Sequence, residues 1–321
     1  MSTRPDTLDL SLAPPAAAAS HPPLAGGLIL ATLGAIAFSG KAIIVKLAYR
    51  HGVDAVTLIM YRMLFALPLF LAMAWWATYR QGGGRKPPLS GRDWLGVLGL
   101  GVSGYYLASF LDFAGLAYIS ASLERLILYL NPTLVLLLGR VLYAKPITLR
   151  QLGGMAVSYC GVLMVFGHEI HLQGEQAAWG TLLVFLSAVS YAIYLVYSGE
   201  MVRRVGSIRL VGLATSVACL CCLLQFVLLR PMSAALVAPE VLWLSVLNAT
   251  LCTAVPVLIV MMAIERIGAS LTAQTGMVGP MSTILMGVLI LGEPFTVWVA
   301  AGTVLVIAGI FVFTRSARLR A

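Results

Sequence analysis

Lys41, Arg62, Asp112, Glu124 and Arg125 are ionisable side chains within, or at the edge of, long apolar runs, in a chain of which only 10% is charged. In hydrocarbon such a group costs roughly 2.5–3.5 kcal/mol on insertion scales, so it faces a partner, a water-filled cavity or a solute. The set holds three cations and two anions. Fully paired, it leaves one positive charge over. The expectation is that Lys41 faces a cavity as that spare charge and meets the carboxylate of a solute, while Asp112 and Glu124 pair with the arginines. The competing reading is an ion-pair set that only holds helices together.

Polar side chains form stripes at helical spacing. Gly101, Tyr105, Ser109 and Asp112 share one face, as do Ser187, Ser190, Tyr191, Tyr194 and Ser198. Tyr129 adds a fourth hydroxylated ring. Such rings suit an apolar or amphipathic solute, and equally suit ordinary aromatic packing. Ser245, Asn248 and Cys252 in one segment, and Thr272, Thr275, Gly279 and Ser282 in the next, read either as cavity lining or as hydrogen-bonding glue between helices. No His/Cys/Glu cluster has zinc spacing, no catalytic set is present, and no P-loop occurs. No catalytic residue, metal or cofactor is expected, and any coupling would be to protons or to the solute gradient.

Ten apolar segments must position these residues: 26–49, 55–78, 94–117, 121–143, 147–167, 179–199, 209–229, 241–264, 270–291 and 295–314. Each is close to the 20 residues that cross a bilayer core. With 60% hydrophobic residues and a mean hydropathy of +0.95, the chain reads as an all-α multi-pass membrane protein. The net charge of +9 comes from lysines and arginines spread along short loops, as a topology signal would be, so no nucleic-acid partner is expected. With the N-terminus inside, fifteen basic residues fall inside and four outside, which places both termini in the cytoplasm of an inner membrane. The five cysteines lie in apolar runs and predict no disulfide framework. Residues 1–25 read as a disordered cytoplasmic tail and 315–321 as a basic one.

One stretch occurs twice. Ala121–Val165 lies over Ala269–Phe313 at a shift of 148 without a gap, with Pro132 on Pro280, Pro146 on Pro294, Thr148 on Thr296, Gly154 on Gly302 and Gly161 on Gly309. Pro146 and Pro294 suit the first turn of a helix. Pro132 and Pro280 fall inside helices, where each frees a carbonyl one turn back, on Leu128 and Gly276. A weaker match of Gly27–Leu47 to Gly180–Glu200 extends the unit to five helices. An odd unit that starts inside ends outside, so the second copy is inverted, and paired helix breaks at matching positions point to a binding site.

Ten helices as two inverted five-helix repeats, Pro132 and Pro280 in segments 4 and 9, and Gly-Glu-Pro at 292–294 resemble the drug/metabolite transporter superfamily, in its EamA-type ten-helix branch. The resemblance covers residues 26–167 and 179–314. It implies a central cavity lined by helices 1, 3, 4, 6, 8 and 9, with amino acid efflux a common theme. Helix 2 is peripheral in that family, which makes Arg62 structural support. The chain departs from the pattern at Lys145, where the second copy has Glu293. The expected cavity residues are Lys41, Tyr105, Ser109, Asp112, Glu124, Tyr129, Pro132, Tyr191, Tyr194, Asn248, Thr275 and Pro280. The expected activity is secondary export of small metabolites such as amino acids, by a monomer in the lipid bilayer. The alternatives are import or exchange of a nucleobase or sugar derivative and, in another class, a lipid-handling or intramembrane enzyme.

Overall fold

The computed structural model describes residues 24–79, 88–144, 146–276 and 278–318. The expected tail, the loop around Gly83 and Lys145 therefore lie wholly or mostly outside the described residues. Within them every regular element is helical. The helices are α1 (Leu24–Tyr49), α2 (Ala55–Tyr79), α3 (Gly91–Leu116), α4 (Ala121–Leu128), α5 (Asn131–Tyr143), α6 (Leu149–Gln173), α7 (Glu175–Val205), α8 (Ser207–Leu229), α9 (Pro239–Ala249), α10 (Val255–Thr275), α11 (Val278–Leu291) and α12 (Val297–Arg318). Among the described residues, eight helical stretches are long and apolar enough to cross a membrane, and two shorter apolar stretches complete the bundle.

Local chemistry sets the helix ends. Ser90 caps α3, accepting from the Asp93 N–H while the Asp93 carboxylate accepts from the Ser90 N–H at 3.0 Å. Thr148 and Gln151 make the same reciprocal cap on α6, and the Thr296 hydroxyl accepts from the Val299 N–H on α12. These threonines, one repeat apart, start the two helices. Pro146 and Pro294 stand before the caps rather than in the first turn. The expected loop at 168–178 shrinks to Gly174, whose φ of 67° only glycine takes readily.

The expected break between segments 8 and 9, at 265–269, is absent, and α10 runs through it. Gly268 is the only breaker there, worth about 1 kcal/mol. The chain breaks instead at Gly276, before Pro280. In the first half it breaks at Tyr129–Leu130, before Pro132. Both prolines thus occupy the first turn of a restarted helix, where an N–H has no partner to lose. The freed carbonyls are those the sequence named. Leu128 O accepts from Asn131 Nδ2 at 2.8 Å. Gly276 O accepts from the Tyr129 hydroxyl at 2.9 Å and from the Gly279 N–H.

Packing pairs the halves reciprocally. α1 lies on α10 and α7 on α3, while α2 lies on α8 and α6 on α12. The last contact is the closest. A Cβ on Gly161 would sit 2.7 Å from Gly302 O, and one on Gly309 would sit 2.5 Å from Gly154 O. Position 161 meets 302 while 154 meets 309, so the two helices run in opposite directions. Midway, the Ser158 hydroxyl donates to the carbonyl of Val306, its own counterpart at the 148-residue shift.

Candidate functional site

A cavity of about 490 Å³ lies in the middle of the bundle. Lys41 reaches it from α1, Tyr105, Ser109 and Asp112 from α3, Tyr129 from the α4–α5 break, and Tyr191 and Tyr194 from α7. Seven of the twelve expected residues thus line one space. The other five do not. Glu124 is fully buried behind Lys41. Pro132 faces outward, and Pro280 is buried against the bundle. Thr275 stands off the wall. Asn248 is 1% exposed and buried apart from the cavity, with both side-chain polar atoms lacking a hydrogen-bond partner among the described residues.

Two of the lining stretches owe their place to irregular helix. α3 widens into a π-helix over Gly101–Leu107, and a second π-helix over Thr250–Ala254 joins α9 to α10. The first turns Gly104 and Tyr105 into the cavity, the second Cys252 and Thr253. A Cβ at Gly104 would overlap Tyr194 at 2.3 Å, so glycine there lets the ring lie against the backbone. Tyr194 stacks on Tyr191 with ring centroids 5.5 Å apart, and it meets Tyr105 edge-on at 5.1 Å with the hydroxyls 3.2 Å apart. The three rings make one aromatic wall.

The charges are arranged differently from the expectation. Lys41 Nζ lies 2.5 Å from Asp112 Oδ2 and 3.2 Å from Glu124 Oε1, so Lys41 bridges both carboxylates and is not the spare cation. Its short aliphatic reach from α1 places the ammonium between α3 and α4, nearer to both carboxylates than either arginine comes. Arg125 Nε is 4.0 Å from Glu124 and donates at 2.9 Å to the Thr283 hydroxyl, while its Nη2 donates to Phe38 O. Arg62 Nε donates to the Thr253 hydroxyl at 3.2 Å, and its guanidinium lies 5.1 Å over the Phe113 ring. Both guanidiniums line the cavity. Arg62, read from the sequence as structural support, is therefore a wall residue. Its position on the second helix carried no signal for this. Asn131, Ser187, Ser198 and Thr215 complete the polar lining.

A second cavity of about 410 Å³ occupies the bundle end where α1 meets α2 and α11 meets α12. Between the cavities stands the start of α4. Glu293 accepts from the Ala121 N–H at 2.8 Å and the Ser122 hydroxyl at 2.9 Å, and Glu169 accepts from the Ser120 N–H and hydroxyl. Two carboxylates, one near the end of α6 and one just before α12, thus cap a helix start, where negative charge is favoured.

A profile of the EamA-like transporter family matches residues 25–167 and again residues 178–315. The uncharacterized transporter YcbK of Bacillus subtilis is 30% identical, over 84% of this chain and 86% of its own length. An uncharacterized transporter of Archaeoglobus fulgidus is 24% identical over 89% of this chain and 96% of its own. A solved protein structure superposes with a TM-score of 0.59 at 20% identity, covering 91% of this chain and 98% of that one, a likeness of fold. The chain belongs to the EamA-like transporter family and is a multi-pass membrane protein.

Proposed function

We propose that this EamA-family chain is an inner-membrane secondary carrier that exports small amino-acid-like or amphipathic metabolites by alternating access. In this reading ten spans form two inverted five-helix repeats, and both termini face the cytoplasm. The reciprocal packing of the halves supports the inversion: Gly161 on Gly302, Gly154 on Gly309, and Ser158 on its own counterpart. A two-fold axis in the membrane plane produces such pairs.

One observation carries the cargo class. The cavity of about 490 Å³ holds two guanidiniums bonded mainly to neutral groups, facing a wall of three tyrosines. Its volume is that of a small-molecule site. A guanidinium takes a carboxylate through two parallel N–H donors, and the rings take an apolar side chain. Arg125 and Arg62, rather than Lys41, are the residues that meet the cargo carboxylate.

The test is counterflow of radiolabelled phenylalanine and leucine in proteoliposomes of the intact protein. The reading requires accumulation above protein-free vesicles, reduced at least tenfold in Arg125→Lys, which keeps the charge and loses the fork. Absence of flux across a panel of amino acids overturns the cargo class.

A further inference from the structure

Asp112 and Glu124 are 3% and 0% exposed, and both carboxyl groups meet the single ammonium of Lys41, at 2.5 and 3.2 Å. Asp112 Oδ1 and both oxygens of Glu124 accept no hydrogen bond among the described residues. Two carboxylates side by side cannot both stay charged in a dry site unless cations compensate both. Of the three cations nearby, only Lys41 comes closer than 4.0 Å to either carboxyl group. Lys41 on α1 gives one charge to the pair. Arg125 beside Glu124 approaches no closer than 4.0 Å and spends its donors on Thr283 and Phe38 O. Arg62 on α2 faces Thr253 and Phe113. Tyr49 on α1 donates to Phe113 O, and α11 presents the neutral Thr283. Glu169 on α6 and Glu293 before α12 bind residues 120–122, just ahead of Glu124, and add further negative charge at that end.

We infer that Asp112 and Glu124 form a proton-binding site that carries a single shared proton across the transport cycle. The proton comes from water on one side and bridges the two carboxyl groups as O–H···O. It leaves to water on the other side, and no other bond is made or broken. Asp112 also lines the cavity, so its free oxygen is open to a cargo ammonium. Resting on the carrier reading above, cargo and proton compete for one carboxylate. The inward proton gradient then drives cargo out, as an exchange.

Two measurements test this. The first needs no cargo: infrared spectra of the intact protein in liposomes, recorded as a function of pH. The expected result is a carbonyl band of a protonated carboxylic acid that titrates as one proton, and that is lost in both Glu124→Gln and Asp112→Asn. A wild-type protein without such a band, or a band that survives both substitutions, overturns the site. If either variant fails to elute as a single species, Glu124→Asp serves instead, and there the band persists at a shifted position. The second measurement follows vesicle pH with a trapped dye during net phenylalanine efflux from preloaded vesicles into cargo-free medium. One proton entering per phenylalanine leaving is expected. Phenylalanine flux without proton movement sinks the coupling and leaves the carrier standing. Absent flux for every amino acid sinks the cargo reading, while the infrared result still decides the proton site.

Discussion

The hydroxyl of Tyr129 donates to the carbonyl oxygen of Gly276 at 2.9 Å, tying the helix break before Pro132 to the break before Pro280. Gly276 O lacks its α-helical donor because the proline four residues on has no N–H to give it. A neutral hydrogen bond of this kind contributes about 0.5–1.5 kcal/mol. Tyr129→Phe keeps the ring and removes the donor. We expect a normal size-exclusion profile, and a several-fold change in counterflow rate because one access state has lost that stabilisation. An unchanged rate would make the bond a packing detail.

Alanine at both prolines tests the breaks themselves. With an N–H restored at position 280, Gly276 O gains a helical partner that competes with Tyr129, and α10 and α11 can join. Position 132 gives the same choice to Leu128 O, now held by Asn131. The double Pro→Ala variant is expected to fold and to move cargo more slowly. Wild-type flux would show that the breaks serve packing only.

Much of this was legible in the sequence. The two prolines named the two freed carbonyls, because a missing N–H acts at a fixed distance along the chain. The stripes put Tyr105, Ser109 and Asp112 on one face of the third span and Tyr191 and Tyr194 on one face of the sixth, because helical periodicity is local. The charge pairing was not legible. Whether Lys41 or Arg125 lies nearer Glu124 depends on the rotation of α1 against α4, which no spacing encodes. Arg62 faces the cavity for a similar reason, since α2 presents one side of itself to α3 and the π-helical segment of Thr253. The break at Gly276 rather than near Gly268 was also open, because one glycine is a weak stop in a long apolar helix.

The crossing of α6 and α12 makes a prediction with its own control. A Cβ on Gly302 would lie 2.4 Å from Val165 Cγ2 and 2.7 Å from Gly161 O, so backbone would have to move. Overpacking of this kind costs about 1–3 kcal/mol. Gly302→Leu should lower the melting temperature and yield of the purified protein. Gly153 lies on the same helix as Gly161, and among the described residues no atom of another element lies within 4 Å of its Cβ position. Gly153→Ala should be neutral or stabilising, by up to about 1 kcal/mol. Equal damage from both would mean that glycine is needed for something other than closeness.

The proposed orientation rests on basic residues expected on one side, and single cysteines in a cysteine-free background test it. Ser207 begins α8 at the expected cytoplasmic end, and His51 stands exposed in the turn between α1 and α2 at the other end. An impermeant thiol reagent added outside intact cells should label His51→Cys and spare Ser207→Cys. The opposite pattern would invert the chain and, with it, the direction of export.

Lys41 gives the sharpest contrast between sequence and structure. As a spare cation it could be replaced by methionine with little harm to the fold. As the bridge between Asp112 and Glu124, at 2.5 and 3.2 Å, it is what allows negative charge at that depth. Removing one partner of a buried ion pair costs roughly 3–5 kcal/mol, because the other is left uncompensated. Lys41→Met should therefore lower the yield and broaden the size-exclusion profile. Lys41→Met combined with Glu124→Gln should recover part of the loss, since the double change leaves one carboxyl group that can go neutral by taking a proton. The non-additivity of the pair, measured from melting temperatures of the single and double variants, is the quantity to examine. A monodisperse Lys41→Met protein at wild-type yield would mean that both carboxyl groups already carry protons, and the ammonium would then be free to meet cargo after all.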